Sequence, residues 1–275
     1  MYRILTLTDF SENSKSALEF SKILALKSDC VANILHTIAP VKGSITLSDQ
    51  SVELNNILFE DAIEKMDEIV SDFNAVDISP NAMIRSGVLI QVLEEIIQEF
   101  NIDLLLITSY GYGNPTRKLV GKNAAFILAN IHTPTIIVPS LHEVTDINKV
   151  NFVHQLTKPK LNHLYDAFNF LKLFNINELD IVHILSEEQD VYKADKSMIQ
   201  NTQKAFPDKT INFDFIEGEF VVNRLYHFLK EYQTDFLVIS SNKKNFWKRF
   251  VSGNIHVDAD AKIIVPIFVL SDALV

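Results

Sequence analysis

Two stretches in opposite halves of the chain, IDLLLITS (102–109) and TDFLVISS (234–241), align without a gap, and Asp103 against Asp235 sets an offset of 235 − 103 = 132. The same offset carries Gly121 onto Gly253, and Pro134, ahead of TIIV, onto Pro266, ahead of IFVL. Three coincidences at one spacing mark a tandem duplication, so whatever the first half folds into, the second is expected to repeat. Further upstream LHTI (35–38) matches VHIL (182–185) at an offset of 147, which puts a net deletion of 147 − 132 = 15 residues between the second and fourth strands of the repeat. The join is expected within the polar stretch SLHEVTDINK (140–149), giving units 1–143 and 147–275.

Within the first half, strand-sized apolar runs alternate with helical periodicity. ILTL (4–7), VANIL (31–35), AMI (82–84), LLLI (104–107) and TIIV (135–138) read as strands. Phe59, Ala62, Ile63, Met66, Ile69, Val70 and Phe73 fall on one helical face, as do Leu89, Leu93, Ile96, Ile97 and Phe100. That alternation predicts a parallel sheet covered by helices, hence an α/β fold. With 275 residues, 47% of them apolar and 22% charged, the chain has room for two such units. Its longest apolar run, IIVPIFVL, is strand-sized, well short of the roughly 20 residues that span a bilayer. The N-terminus, MYRILTLTDF, lacks the pattern of a signal peptide, and one cysteine, Cys30, can form no internal disulfide, so a cytoplasmic location is expected. A formal net charge of −10 argues against general affinity for nucleic acid.

Three of the seven glycines fall in TSYGYGNPTRKLVGKN (108–123). A P-loop would need a glycine at Thr116 and a hydroxyl residue at Asn123, and a dinucleotide fingerprint also fails at Thr116. The segment instead leaves the C-terminal end of the fourth strand, where open α/β sheets bind ligands, and Gly121 opens the next helix, whose free N–H groups suit an anion. Glycine there allows close backbone approach to a phosphate.

Strand one ending in LTLTDFSENSKSALEFSKILAL, strand two in LHTI and the glycine loop after strand four together resemble a universal stress protein domain, over nearly the whole chain and twice. The resemblance implies two tandem Rossmann-like domains, each a five-stranded, mostly parallel sheet of order 3-2-1-4-5 flanked by helices, with TIIV and IFVL as edges that pair one unit with the other. It implies ATP or a related adenine nucleotide as ligand. Thr8 and Asp9 at the end of strand one and the backbone around Thr37 would face ribose and adenine, and Thr108, Gly111, Gly121, Lys122 and Asn123 would surround the phosphates. The family's nucleotide-binding pattern of glycine, two residues, glycine, nine residues, glycine and a hydroxyl residue is met at Gly111 and Gly121. It departs at Thr108 and at Lys122, which replaces a hydroxyl donor. A lost charge-assisted hydrogen bond costs about 1.5–3 kcal/mol, and Lys122 could offset part of it as a point charge.

Simpler readings stand beside these. Asp9 and Ser11 could merely cap the helix bearing Ala17, Phe20 and Leu24, and Gly111 and Gly113 could be ordinary turn glycines. His36 and His183 fall at matching places and read as structural residues, and no His, Cys or carboxylate set has recognisable metal-ligand spacing, which leaves a metal unassigned. No catalytic triad or Cys-His pair can be assembled, so no enzyme is expected. In the second half Lys243 stands for Gly111 and Ser240 for Thr108, and NFVHQL (151–156) has no carboxylate to match Asp9, so one nucleotide at most, in the first half, is expected. The basic, aromatic KKNFWKRF (243–250) reads as a loop packed on its own domain. Two functions remain open: a stress-associated nucleotide-binding regulator, and an interaction or scaffold protein of the same fold that binds protein partners without nucleotide. The tandem chain contains its own pseudo-dimer, which suits a monomer or a homodimer.

Overall fold

The computed structural model describes residues 2–40, 49–111, 120–140, 146–154, 161–185, 199–217, 222–241 and 263–271, with backbone alone at 49–53, 154, 183–185, 215–217, 222–226, 241 and 271. Its first half runs β1 (Arg3–Leu7), α1 (Lys15–Lys27), β2 (Val31–Ile38), α2 (Asp49–Asn74), β3 (Asn81–Ser86), α3 (Leu89–Glu99), β4 (Leu104–Thr108), α4 (Lys122–Asn130) and β5 (Thr135–Val138). The second half follows with β6 (Val150–His154), α5 (Leu161–Leu171), β7 (Glu178–Leu185), a helical stretch α6 (199–205), β8 (Thr210–Glu217), α7 (Val222–Glu231), β9 (Phe236–Ser241) and β10 (Ile267–Ser271). All ten strands form one sheet, β3-β2-β1-β4-β5-β10-β9-β6-β7-β8. Each half has the expected 3-2-1-4-5 order with parallel neighbours, and β5 pairs antiparallel with β10 through Ile137–Ile267, Ile136–Phe268 and Thr135–Val269. The strand named only as AMI extends to six residues, and β2 runs on through His36, Thr37 and Ile38.

The duplication is written into the hydrogen bonds. Asp103 accepts from Arg3 N at 2.8 Å, and Asp235 accepts from Lys149 N at 2.8 Å, so the repeated aspartate ties down the start of the first strand in each half. Pro134 O accepts from Leu105 N and Pro266 O from Leu237 N, which gives the repeated proline the same place in both ladders. Asn81 donates across to Asn33, and Asn212 to Asp180. Those pairs also locate the deletion, since 180 − 33 = 147 on the second strand of the repeat and 212 − 81 = 131 on the third. The loss falls between strands two and three. Of the expected join at 140–149, residues 141–145 lie outside the described residues, as do Gly113, Gly253 and the 243–250 stretch.

Alternation along the central strands sends one set of side chains to each face. On one face α1 and α5 cover a core in which Ile4, Phe20, Leu106 and Ile136 from the first half meet Phe152, Phe170, Phe236 and Phe268 from the second. On the other, α3, α4 and α7 cover Leu105, Ile107 and Ile137 together with Leu237, Ile239 and Ile267. Both cores cross the β5–β10 seam. Phe20 of α1, fully buried, stacks on Phe236 at 6.4 Å between ring centroids, and Phe236 stacks on Phe170 at 5.6 Å. The expected stripe of α2 buries Ala62, Met66 and Phe73, whereas Ile63, placed on that stripe by sequence, is half exposed because its position lies at the margin of the packed face. Among the described residues no helix is long and apolar enough to cross a membrane.

Because neither core belongs to one half, calorimetry of the full chain should give a single unfolding transition. Phe20→Ala should cost about 3–5 kcal/mol while keeping that single transition. Two separated transitions in the wild-type chain would contradict the shared core.

Candidate functional site

Beyond the C-terminal end of β1 the backbone turns sharply at Phe10, whose φ of 61° is left-handed and unusual for a bulky residue. The turn is held by its own side chains. Thr8, buried, accepts from Phe10 N at 3.0 Å and shares a hydrogen bond with the Ser14 hydroxyl. Asp9 Oδ1 accepts from both the backbone N–H and the hydroxyl of Ser11. Ser11 in turn caps the short helical turn Glu12–Ser14 that leads into α1. Of the two capping candidates, then, Ser11 is the cap and Asp9 braces it.

At β4 the chain comes back to the same place. Thr108 donates its hydroxyl to Tyr110 O at 2.8 Å, closing the turn that follows the strand. Ser140, just past β5, accepts from Tyr110 N and donates from its own N–H to the Ser109 hydroxyl, so β4 and β5 end in a common hydroxyl network. Gly111 then lies directly against Asp9: a Cβ added there would sit 2.1 Å from Asp9 Oδ2. Asn13 fastens the same contact by donating to Gly111 O at 2.7 Å. Gly121 N donates to Ser109 O at 2.7 Å, which brings the start of α4 to the end of β4. Among the described residues no side chain caps α4, and its first residues, Lys122 and Asn123, are exposed.

Of the three loop positions considered from sequence, only Gly111 has a neighbour that an added Cβ would have to displace, the Asp9 carboxylate. Thr108 is the last residue of a regular strand and its branched side chain is used in the turn. Gly121 has an ordinary extended backbone, φ −65° and ψ 167°, and a Cβ there would meet its nearest neighbours, Ser109 O and Tyr110 Cδ1, at a comfortable 3.5 Å. Thr37 follows His36, whose Nδ1 bonds Thr8 O at 2.9 Å, so the end of β2 is joined to the same mouth. Asn13, Ser14, Tyr110 and Ser140 were not singled out in the sequence. Ser140 sat in a stretch read as linker, and the other three carry no motif of their own.

His36 packs against the Phe10 ring at 4.2 Å, and burial is the main influence pushing its pKa below the usual 6.5, opposed by its bond to Thr8. The Tyr110 hydroxyl is buried with no partner among the described residues, and burial pushes its pKa up to about 12. Among the described residues no group of three or more His, Cys, Asp or Glu side chains is placed to hold a metal.

This is a Rossmann-like sheet with its loops gathered at the C-terminal mouth of the first half, and comparison with known proteins agrees. The universal stress protein family profile matches residues 1–139. The chain belongs to the universal stress protein family. A universal stress protein from Archaeoglobus fulgidus DSM 4304 is similar over 98% of each chain at 17% identity, with a TM-score of 0.73. A putative universal stress protein from Pseudomonas aeruginosa UCBPP-PA14 is similar over 98% of this chain and 93% of its own at 12% identity, with a TM-score of 0.63. A family protein from Arabidopsis thaliana solved with AMP bound matches 51% of this chain and 92% of its own at 16% identity and a TM-score of 0.36, a likeness too loose to locate a ligand here. No curated protein matches the chain in sequence.

Two predictions follow from this geometry. Gly111→Ala must displace the Asp9 carboxylate and should lower stability by about 1–3 kcal/mol, whereas Gly121→Ala should leave the melting temperature within a degree or so of wild type, since its Cβ meets only ordinary contacts; thermal melts compare them directly. The second concerns pH. His36 has a folded pKa below its unfolded value, so both states are neutral above that value and the group costs nothing there. As pH falls below about 6.5 the unfolded chain takes the proton first, and stability drops until the folded pKa is passed. His36→Gln should therefore flatten the fall of stability just below pH 6.5; an unchanged profile would show that His36 does not carry it.

Proposed function

We propose that the first half binds ATP or a related adenine nucleotide, one per chain at most, and that the protein acts as a stress-associated regulator rather than as an enzyme. Asp9 would accept from ribose hydroxyls, the backbone around Thr37 would face adenine, and Gly111, Gly121, Lys122 and Asn123 would surround the phosphates, with Thr8 and Thr108 shaping the turns behind them. The observation that carries this reading is the seat of Gly111 against Asp9, where any added side chain would push on the Asp9 carboxylate. A glycine packed close against a carboxylate at the mouth of a parallel sheet, next to an α4 start that no described side chain caps, supports a built anion and ribose site. Lys122, exposed at that start, suits a phosphate as a point charge. The units 1–143 and 147–275 and a cytoplasmic location are part of the same proposal.

The second half supports no such reading. Ser240, at the position of Thr108, is buried, and its hydroxyl is bonded to the ring of buried His163. The scaffold alternative draws on a different observation. Asp9 Oδ1 already serves Ser11 and the Thr108 hydroxyl already serves Tyr110, so the turns are self-consistent without ligand.

Calorimetric titration with ATP separates the two. The nucleotide reading expects a stoichiometry of one or less, weakened roughly ten- to a hundredfold by Asp9→Ala and unchanged by Gly253→Val. Heat-free titrations, with no nucleotide released from the purified protein on denaturation and mass analysis, favour the scaffold. A stoichiometry near two would mean that the site has been assigned to too few halves.

A further inference from the structure

Helix α2 is longer than the sheet it covers. Its 26 residues span about 39 Å, against about 26 Å for the eight residues of β2. Ala62 is its first buried residue among the described side chains, and further along Met66 and Phe73 pack with Ala32 and Ile34 of β2. Asp61 and Lys65 lie close enough to His36, two residues before the end of β2, to act on its charge. The turns ahead of Asp61 therefore rise past the C-terminal end of the sheet. There Leu54, Ile57 and Leu58, spaced i, i+3, i+4 on one side of the helix, are 45%, 55% and 37% exposed. Large aliphatic side chains exposed as a group, rather than singly, mark a contact surface. Further down the same side come Asp61, Glu64, Glu68 and Asp72, all exposed. Lys65 pairs with Asp61, and Lys15 of α1, within electrostatic reach of Glu68 and Asp72, pairs with Glu12. With eight acidic residues and one lysine, α2 carries 1 − 8 = −7 of the chain's formal −10. The second half cannot repeat this helix, because only 210 − 185 − 1 = 24 residues separate β7 from β8.

We propose that this overhanging face of α2 docks a basic amphipathic helix of another protein, which lays apolar side chains against Leu54, Ile57 and Leu58 and sets lysines or arginines over Asp61, Glu64 and Glu68. Charge selects the occupant. A second copy presenting the same helix would set −7 against −7, and the anionic surface of a membrane would be repelled in the same way. A cationic helix meets the opposite field. Exposed ion pairs are individually weak, so the aliphatic contact supplies most of the affinity, while the carboxylates supply selectivity and speed of encounter. The surface requires no nucleotide and stands under either reading of the mouth.

The probe is a fluorescein-labelled peptide of about 18 residues, with leucines at i, i+3, i+4 and i+7 and lysines on the opposite face, titrated with the full chain and read by fluorescence anisotropy. The peptide should bind, and a scrambled peptide of the same composition should bind at least about tenfold more weakly. Leu54→Ser with Ile57→Ser, and separately Glu64→Lys with Glu68→Lys, should each weaken binding by a similar factor. Glu94→Lys with Glu95→Lys, on the exposed side of α3, should leave it unchanged. All these positions are exposed, so the variants should keep the wild-type circular dichroism and melting temperature. Absence of binding, equal binding of both peptides, or equal effects of the α2 and α3 charge reversals overturns the proposal. So does a lower melting temperature in the Leu54 and Ile57 variant, which would mean that the chain covers this face itself. A wild-type dimer by light scattering that the same variant dissolves would assign the face to a second copy and overturn it as well.

Discussion

Three residue pairs between β5 and β10 turn two half-sheets into one, and most other features of the molecule depend on them. Without that seam Ile136, Ile137, Ile267 and Phe268 would lie on bare sheet edges, which β-proteins otherwise have to blunt or cover. With it, the edges close on each other and the cores on both faces become continuous. The aromatic stack from Phe20 through Phe236 to Phe170 then fixes α1 over the junction. At its other end α1 begins in the Ser11–Ser14 turn, whose Asn13 holds Gly111. The helix that seals the seam thus also sets the position of the candidate site.

Much of the architecture was legible because it rests on properties that repeat. The 132-residue offset marks Asp103 and Asp235, and both prove to tie down a first strand by the same hydrogen bond. TIIV and IFVL read as strand-sized and apolar throughout, which fits the fully buried strands at the seam. The deletion could be sized from sequence but not placed, because β3 and β8 share little beyond Asn81 and Asn212. Ile63 was misjudged for a similar reason, since apolar periodicity fixes a helical stripe only to within a residue or so at its margins.

The site was legible in outline and not in its mechanics. Motif spacing selected Gly111 and Gly121 and the family resemblance Asp9, all with equal weight, whereas an added Cβ would collide only at Gly111, against the Asp9 carboxylate. Thr108, read as a departure, closes its turn with its own hydroxyl. The supporting residues Asn13 and Ser140 act through contacts to chain segments far away in sequence, and such contacts leave no local pattern.

The central claim is that ligand chemistry of the nucleotide type belongs to the mouth of the first half and not to its duplicate. Hydrogen exchange of the full chain, read by mass spectrometry with and without saturating ATP, tests it most directly. The account predicts slowed exchange confined to peptides covering Thr8–Asn13, Ser109–Gly111 and Gly121–Ala124, with the matching ends of β6 and β9 unchanged. Protection centred on 238–241, or equal protection in both halves, would contradict it.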